Sequence, residues 1–458
     1  MERMEGVDAG YLYMETPSMH MHTVKVAILE RPGASSDQHW DIETFAEEVL
    51  ARLDRLPPFG RRVLNVPFRL NHPVWVADRP IDMSRHIVHQ ALPRPGGRKE
   101  LEELVGRIIS VPLDRGIPLW ELHLVEGLEG DRVAVVAKLH HALADGNAAN
   151  NLLANVTGER GPAGPPHALE PTPGRARLVG DALRDAVRQL FSLPALLRRT
   201  ATNVAALVKI RRGSDVTPPR PVLDVPRTSF NGALGPRRSF ATTSLALDEL
   251  KAVKARHGVT LNDVVLGVVG GALRRWMDER GERPSASLTA GVPVGTDAAS
   301  EAVRLSGNRV STLFTTLATD IDDPHERLAQ IHRITDASKL VQQTLGPDML
   351  IDWVQFTPPA PFAAGMRAYS RARAASWHPA PFNVVVSNVA GPREEVLLGD
   401  SRLVDLFSAG PILEGIGLNV TVWSYQDRVN VTVISCPDLV HDLGPLLAQF
   451  GPALKELA

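Results

Sequence analysis

Two adjacent histidines, His140 and His141, stand shortly before an Asp-Gly pair, Asp145 and Gly146. Imidazole is the side chain whose ordinary pKa, roughly 6.5, suits proton transfer near neutral pH, so the pair contains a candidate general base. The apolar run at 133–137 is typical of a buried strand, and a helical stretch follows the glycine. Such a junction places its side chains at the edge of a sheet, where ligands usually bind.

Two other interpretations of these residues stay open at this point. The histidines could close a strand as a packed pair, with Asp145 serving as an ordinary helix N-cap. They could also bind zinc with the carboxylate, but a structural zinc site normally uses four protein ligands. The chain has one Cys, Cys436, and no second His/Asp cluster at ligand spacing, so we predict no metal and no bound cofactor.

The composition is that of a globular enzyme. The 458 residues are too many for one hydrophobic core, and 44% apolar with 22% charged residues is ordinary for this class. A net charge of −2 argues against nucleic acid as a partner. The charged N-terminus lacks an apolar leader, and the longest apolar run, 264–273, is about half of the roughly 20 residues that span a bilayer. A lone Cys excludes an internal disulfide, so we expect a cytoplasmic protein.

The predicted elements divide the chain into two α/β domains and a joint. Residues 1–160 form the first domain, a Pro/Gly cluster opens a linker at 161–237, and residues 238–458 form the second domain. In the first domain we predict strands at 23–29, 121–125 and 132–139 and helices at 42–53 and 98–111. In the second we predict strands at 239–247, 288–293, 310–316, 384–387, 417–423 and 428–434, and helices at 248–257, 260–278 and 324–343.

The linker contains a basic amphipathic segment, residues 175–212. Apolar residues recur there at helical spacing, and eight Arg and one Lys against two Asp give a net charge of +7. We expect Pro194 to interrupt the helix. Either the helix lies on a membrane or lipid-droplet surface with its apolar face in the lipid, or it packs on its own protein with a solvated basic face.

Several further segments, in chain order, carry a resemblance to a known family. They are Asp8-Ala9-Gly10-Tyr11-Leu12 with Met19-His20-Met21-His22, Asp82-Met83-Ser84-Arg85-His86 with Leu92-Pro93-Arg94-Pro95-Gly96, Pro118-Leu119-Trp120-Glu121, Leu261-Asn262-Asp263, Gly307-Asn308-Arg309-Val310-Ser311 and Ser387-Asn388-Val389-Ala390-Gly391-Pro392. The HHxxxDG motif is the signature of the CoA-dependent acyltransferase superfamily that includes chloramphenicol acetyltransferase. From residue 8 to about 392 the chain resembles the bacterial wax ester synthase/diacylglycerol acyltransferase family, although Ala390 stands where we expect Pro.

The resemblance implies an α/β fold of two chloramphenicol acetyltransferase-like domains, each a mixed β-sheet with flanking helices, which face each other across an active-site channel. It implies an O-acyltransferase that moves a long-chain acyl group from acyl-CoA to diacylglycerol, a long-chain alcohol or both. By the resemblance, His141 deprotonates the acceptor alcohol and later protonates the CoA thiolate, without an acyl-enzyme. Acyl-CoA is then a substrate, and a peripheral membrane or lipid-droplet surface is an expected partner.

The resemblance also implies supporting roles around His141. Asp145 is expected to turn away from substrate and to form an ion pair with an arginine that fixes the loop, and Arg309 is our candidate for that arginine. Gly146 fits a position where a side chain would block a close approach. His140 either takes part in catalysis, orients its neighbour or packs, since only one histidine is needed as the base.

Three residues outside the motif are candidate substrate contacts. Asn262 and Asp263 lie at a predicted helix N-terminus, where free N–H donors could bind substrate or an oxyanion, with capping and packing as the alternative. Trp120 is a candidate wall of a substrate pocket, because large aromatic side chains fill cores or line pockets.

Two other functions stand as alternatives. The chain could acylate another hydroxyl or an amine, as condensation domains do from carrier proteins, in which case it would depend on a pantetheinyl protein rather than on free CoA esters. It could also be a non-catalytic lipid-droplet-binding protein, whose role would be lost on deletion of 175–212 and kept in His141→Ala.

Overall fold

A computed structural model describes residues 1–31, 41–156, 169–213, 216–297, 304–346 and 349–458. Two six-stranded mixed sheets with flanking helices dominate this part of the chain. The predicted Pro/Gly cluster at 161–166 and the first predicted domain boundary lie outside the described residues, and the division into domains stays a prediction.

The strands are numbered in chain order. They are β1 (Glu2–Arg3), β2 (His22–Glu30), β3 (Arg62–Leu64), β4 (Val74–Val76), β5 (Ile87–Ala91), β6 (Trp120–Leu128), β7 (Arg132–His140), β8 (Ser239–Ala246), β9 (Thr289–Gly295), β10 (Val310–Thr316), β11 (Val384–Val389), β12 (Leu397–Leu398), β13 (Ser401–Ala409), β14 (Leu418–Tyr425) and β15 (Arg428–Ser435). Every strand predicted from the sequence is present, with ends shifted by one or a few residues.

The helices are numbered in the same way. They are α1 (Gly6–Met14), α2 (Ile42–Leu50), α3 (Arg98–Ile109), α4 (Gly146–Val156), α5 (Arg175–Gly213), α6 (Leu247–His257), α7 (Leu261–Glu279), α8 (Pro324–Leu345), α9 (Met349–Val354), α10 (Pro359–Arg371), α11 (Gly444–Leu447) and α12 (Phe450–Lys455). Short 3₁₀ helices occur at Leu53–Arg55, Pro57–Gly60, Pro67–Arg69, Met83–Arg85 and Ala374–Ser376.

The first large sheet has the strand order β12-β13-β2-β7-β6-β5 and is antiparallel except for the β5–β6 pair. The second has the order β10-β9-β11-β14-β15-β8, in which β11 runs parallel to both of its neighbours. A small third sheet has the order β1-β4-β3. In the second half, the core lies between the sheet and helices such as α7, which is buried along most of its length because its central run Val264–Leu273 carries no polar side chain.

The central pair of the first sheet positions the histidine motif. β2 and β7 pair along nine residues, from His22 opposite His140 to Glu30 opposite Arg132. Both strands are rich in Val, Ala, Leu and Ile, which is typical of strands covered on both faces. The end of β7 is therefore held rigidly, and the motif begins where that strand ends.

Sequence analysis did not predict β13, which comes late in the chain but pairs antiparallel with β2 of the first sheet. A strand from the second half of the sequence thus completes the sheet that carries the histidines. This pairing links the two halves by main-chain hydrogen bonds, so they are not independent units joined only by a linker.

The basic segment forms one continuous helix, α5, with Pro194 inside it, so the predicted interruption is wrong. A proline removes one hydrogen bond, which leaves the carbonyl of Leu190 without its helical partner. Leu190 is 67% exposed, so water can satisfy that carbonyl and the helix continues. Among the described residues, no helix combines the length and the apolar character needed to cross a membrane.

Candidate active site

The motif forms the junction between β7 and α4. The strand ends at His140, residues 141–145 form a turn, and the helix begins at Gly146. The backbone N–H of His141 donates to the Met21 carbonyl at 2.7 Å, and Ala144 pairs with Gly307 in an isolated β-bridge. The turn is therefore held by the first sheet on one side and by a segment of the second half on the other.

The side chain of His141 lines a cavity of about 180 Å³ between the two large sheets. Thr23 and Lys25 of β2 form part of one wall, and Thr312 of β10 and Ser387 of β11 form part of the other. A ligand in this cavity can reach the imidazole, which is the first geometric requirement for a general base.

The environment of His141 favours a neutral ring with one accessible nitrogen. Its ring stacks on Tyr11 with centroids 4.4 Å apart and planes 7° from parallel. Nδ1 is buried, which leaves Nε2 as the ring nitrogen that can face the cavity. Burial lowers the pKa of His141 below its ordinary value, which leaves the ring able to accept a proton at neutral pH.

Asp145 borders the cavity, but both of its carboxylate oxygens are held by contacts that fix the turn. One carboxylate oxygen accepts from the backbone N–H of Ala148 at 2.9 Å, capping α4. The other lies 2.6 Å from a guanidinium nitrogen of Arg304. The expected ion pair is present, but Arg309 is the wrong partner. Arg309 follows the turn at Gly307 and bonds the carboxylate through its backbone N–H at 2.9 Å instead.

The carboxamide of Asn308 joins the motif to the N-terminal helix. Its Nδ2 donates to the His141 carbonyl at 2.8 Å and to Asp8 of α1 at 2.7 Å. Burial raises the pKa of Asp8 to about 7, while the Asn308 hydrogen bond opposes that rise. Asp8, Tyr11 and Asn308 all lie in segments that carry the family resemblance, yet they meet only through contacts between residues far apart in the chain, such as Asp8 and Asn308.

His140, a candidate catalytic residue, is fully buried and does not line the cavity. Successive residues of a strand point to opposite faces, so His140 points away from the side that His141 uses. Its Nδ1 accepts from the Ala142 backbone N–H at 3.1 Å, and its Nε2 lies 3.7 Å from the Glu15 carboxylate. The structure therefore places the His140 ring behind the motif, out of contact with the cavity.

Glu15 is the centre of a buried polar cluster behind the motif. It contacts His22 and Arg115 as well as His140. Burial raises the pKa of Glu15, but hydrogen bonding and charge from these partners outweigh it and hold the pKa well below its ordinary value. His20 stacks on His22 outside the cavity, so neither of these two histidines contacts the reaction site.

Gly146 allows the two halves to approach each other. A Cβ built on this residue would lie 3.1 Å from a methyl carbon of Val389 at the end of β11, closer than ordinary van der Waals contact. An alanine here would require the Val389 side chain to move by a few tenths of an ångström.

Two of the predicted substrate contacts are wrong. Asp263 is fully buried, and its carboxylate accepts a hydrogen bond from the Thr260 backbone N–H at 2.9 Å and contacts His332 at 2.9 Å. The carboxylate caps α7 and is therefore not available to a substrate. Trp120 is also fully buried and donates from Nε1 to the Phe59 carbonyl at 2.9 Å, because it fills the core between Phe59 and His86.

Asn262 lies beside the cavity, without being one of the described residues that line it. Its side-chain oxygen is 3.5 Å from Nδ2 of Asn388, and Asn388 lies between two residues of β11 that do line the cavity, Ser387 and Val389. Because successive residues of a strand point to opposite faces, Asn388 and Asn262 lie on the face of β11 away from the cavity, so the structure does not place Asn262 in contact with a ligand there.

A second cavity, of about 200 Å³, adjoins the first, because Lys25 and Ala149 line both. It lies between the first sheet and helices α2 and α4, and its walls are almost entirely aliphatic or aromatic. Sequence analysis did not identify Lys25, although a lysine inside an otherwise apolar strand is a recognisable signal.

In the described part of the chain, no group of three or more His, Cys, Asp or Glu side chains is arranged to hold a metal ion.

Comparison with protein families matches both halves of the chain. Residues 4–265 match the wax ester synthase/diacylglycerol acyltransferase catalytic domain, and residues 306–458 match the WS/DGAT C-terminal domain. Two Mycobacterium tuberculosis proteins provisionally named diacylglycerol O-acyltransferases are similar over nearly their whole length. One is 39% identical over 96% of this chain and 92% of its own, and the other is 36% identical over 100% and 90%.

Solved structures show the same likeness. The wax ester synthase/diacylglycerol acyltransferase from Marinobacter aquaeolei VT8 superposes with a TM-score of 0.70 at 26% identity, over 100% of this chain and 98% of that one. The first condensation domain of the CDA synthetase gives a TM-score of 0.57 at 14% identity, over 100% and 97%, which is a likeness of fold alone. The predicted fold class, mixed α/β with two sheet-rich domains, is confirmed, and the residue bounds of the domains stay a prediction.

Proposed function

The chain belongs to the wax ester synthase/diacylglycerol acyltransferase family and is an acyltransferase, and from this premise we propose its reaction. It transfers a long-chain acyl group from acyl-CoA to the hydroxyl of diacylglycerol, of a long-chain alcohol or of both. His141 acts as the general base, and no acyl-enzyme forms.

One observation carries the proposal: the accessible nitrogen of His141 faces a cavity that adjoins an apolar one. Thioester and alcohol must meet beside the base, and holding them together makes the step nearly unimolecular. An aliphatic cavity next to that point suits the alkyl chain of a lipid substrate. The lowered pKa of His141 keeps the ring in the form that accepts a proton.

In this mechanism His141 takes up the proton of the acceptor hydroxyl and later returns it to the leaving thiolate. Nε2 of His141 takes the proton of the acceptor hydroxyl as its oxygen attacks the thioester carbonyl, which gives a tetrahedral intermediate. The intermediate collapses with cleavage of the C–S bond, and the imidazolium returns the proton to the CoA thiolate. The ester and free CoA leave, and His141 is again neutral. Base catalysis of this kind is worth roughly 10²- to 10⁴-fold in rate.

We also propose that α5 docks the enzyme on an anionic lipid surface, where its substrates reside. The buried residues of α5 are few: Leu178, Ala182 and Leu196. Its large apolar residues point outward, at helical spacing along the opposite face: Leu183, Val187, Leu190, Phe191, Leu197, Val204 and Val208. Arginines such as Arg184 and Arg188 lie beside this face, as in helices that lie in a membrane interface. The alternative of a helix with only a solvated basic face does not account for exposed leucines.

Acylation from a carrier protein is the second candidate, because condensation domains have the same fold. The net charge of +7 and the exposed apolar face of α5 favour a lipid surface over a carrier protein as the partner. A non-catalytic lipid-binding protein would not need the accessible, neutral imidazole of His141.

The test is turnover by the purified full chain with labelled palmitoyl-CoA and either diacylglycerol or hexadecanol. His141→Ala should lower kcat/KM by about 10²- to 10⁴-fold, because a base is lost. His89→Ala, a matched change at an exposed position on β5, should leave turnover unchanged. In the wild type, kcat/KM should fall on acidification through a pKa below roughly 6.5, since burial lowers the pKa of His141.

Full activity in His141→Ala, or no ester product from either acceptor, would end the proposal. Activity with an acyl-pantetheinyl carrier protein, and none with free acyl-CoA, would favour the condensation-type reaction instead.

A further inference from the structure

Lys25 is a cation without a carboxylate partner at the junction of the two cavities. It lies in the middle of β2, opposite Ser408 on one side and Ala137 on the other. Its Nζ donates a hydrogen bond to Oγ of Ser408 and lies 4.0 Å from the centroid of the Trp423 ring. No carboxylate of the described residues forms an ion pair with it. Burial lowers the pKa of Lys25 to about 7, and the charge of Asp145 only partly opposes this.

Such a residue is unusual, because buried charges in proteins are normally paired. An ammonium group has three N–H donors. Here one donor is used by Ser408, and the Trp423 ring provides a weaker cation–π contact. Lys25 is only partly covered, because its side chain faces the cavities that it lines. Its remaining donors are thus available to a ligand in those cavities.

The lining of the neighbouring apolar cavity indicates the chemical nature of the part of that ligand that does not contact Lys25. Its walls include Phe45, Phe59, Leu122 and Leu152. The charged side chains that line it besides Lys25 are those of Glu48 and Arg52, which form an ion pair with each other. An alkyl chain fits this lining, and a small anion without an apolar tail does not.

We propose that Lys25 and this apolar cavity bind a free long-chain fatty acid, with the alkyl chain in the cavity and the carboxylate on Nζ. A carboxylate supplies the missing negative charge and forms charge-assisted hydrogen bonds that are strong at low dielectric. The fold already removes the ammonium from part of its surrounding water, so binding has less of it left to desolvate. A free fatty acid is neither substrate nor product of thioester-to-alcohol transfer, so this is a site for an additional ligand.

This site has a consequence for the proposed reaction, and that consequence rests on the proposed function. If the acyl chain of acyl-CoA uses the same apolar cavity, a bound fatty acid excludes it. The enzyme would then be inhibited by the hydrolysis product of its own donor. Binding itself does not depend on turnover, so the two proposals can fail separately.

Equilibrium dialysis of the full chain with labelled palmitate tests the site, with hexadecanol as a neutral ligand of equal chain length. Lys25→Met keeps the length of the side chain and removes its charge, and should weaken palmitate binding at least tenfold while changing hexadecanol binding less than twofold. Lys251→Met, on the exposed face of α6, is the control and should bind both ligands as the wild type does. Equal palmitate affinity in Lys25→Met and wild type would overturn the proposal.

A pH series on the wild type supplies a measurement that needs no variant to fold. Above pH 7 the empty site must take up a proton before it pairs with a carboxylate, so palmitate affinity should fall between pH 7 and 9, by up to about tenfold per pH unit. The other titratable groups that line the cavities are Tyr11, Glu48, Arg52, His141 and Asp145. Hexadecanol affinity over the same range corrects for their effects. A palmitate affinity that rises from pH 7 to 9 relative to that of hexadecanol would also overturn the proposal, because loss of the ammonium charge can only weaken a carboxylate contact.

Discussion

The ion pair between Asp145 and Arg304 is one of the contacts that fix the turn carrying His141. The carboxylate is almost completely buried, and the guanidinium also bonds Asp297 at 2.9 Å. Because Asp145 caps α4 as well, it joins the motif turn, the helix and the segment around Gly307. A charge in this position stabilises the site only while its partner is present.

We therefore expect Arg304→Met to lower the free energy of unfolding by about 3 kcal/mol, because it leaves a buried charge uncompensated. The turn that carries His141 should also move, so kcat/KM should fall at least tenfold. Urea unfolding and steady-state kinetics measure the two effects.

Arg309→Met is the matched control, since its contact with Asp145 is made by the backbone N–H and survives the substitution. Its effects should be clearly smaller than those of Arg304→Met. An equal or larger loss in Arg309→Met would mean that the carboxylate depends on the other arginine.

At the scale of elements, α5 is the helix that least resembles its neighbours. Most helices here bury their apolar face against a sheet, as α3 and α7 do. Polar contacts hold α5 to the body instead, such as Asn203 to the Leu345 carbonyl at 2.7 Å and Trp353 to Thr200 at 3.0 Å. The apolar face is thus left free for lipid.

Replacing Leu190 and Phe191 by Glu should reduce binding to vesicles that contain phosphatidylglycerol at least tenfold, because two exposed apolar side chains no longer enter the lipid. Cosedimentation measures the bound fraction. Val111→Glu combined with Leu397→Glu changes two exposed apolar residues outside α5 and should bind vesicles as the wild type does. Unchanged binding of the α5 variant would show that this helix is not the docking element.

At the scale of the whole molecule, the first half carries six histidines whose pKa burial lowers: His20, His22, His72, His86, His140 and His141. The folded state keeps these rings neutral at a pH where the unfolded chain, with a pKa of about 6.5, already binds protons. Stability is therefore complete above that pH and is lost as the pH falls below it.

Urea unfolding between pH 7.5 and 5 should show this loss, with a slope of up to about 1.4 kcal/mol per pH unit for each histidine that titrates. The lowered pKa of Glu15 adds to the loss only at more acidic pH, below the ordinary value of a glutamate. A free energy of unfolding that is constant from pH 7.5 to 5 would contradict these pKa directions.

Much of this protein could be predicted from local patterns. The apolar run 133–137 lies in the central strand β7, and α7 begins directly after Thr260, as predicted. These predictions succeed because hydrophobic periodicity and helix caps depend on only a few neighbouring residues. The HHxxxDG motif and the blocks around it likewise identified the family and the histidine that reaches the cavity.

Only the tertiary structure decided which partners those residues have. It assigned Arg304 rather than Arg309 to Asp145, turned Asp263 and Trp120 into the core, and placed β13 beside β2. Lys25 became the junction of two cavities only when Ser408 and Trp423 folded against it. These contacts join residues that are tens to hundreds of positions apart, and no local pattern encodes them, because they depend on how whole sheets pack.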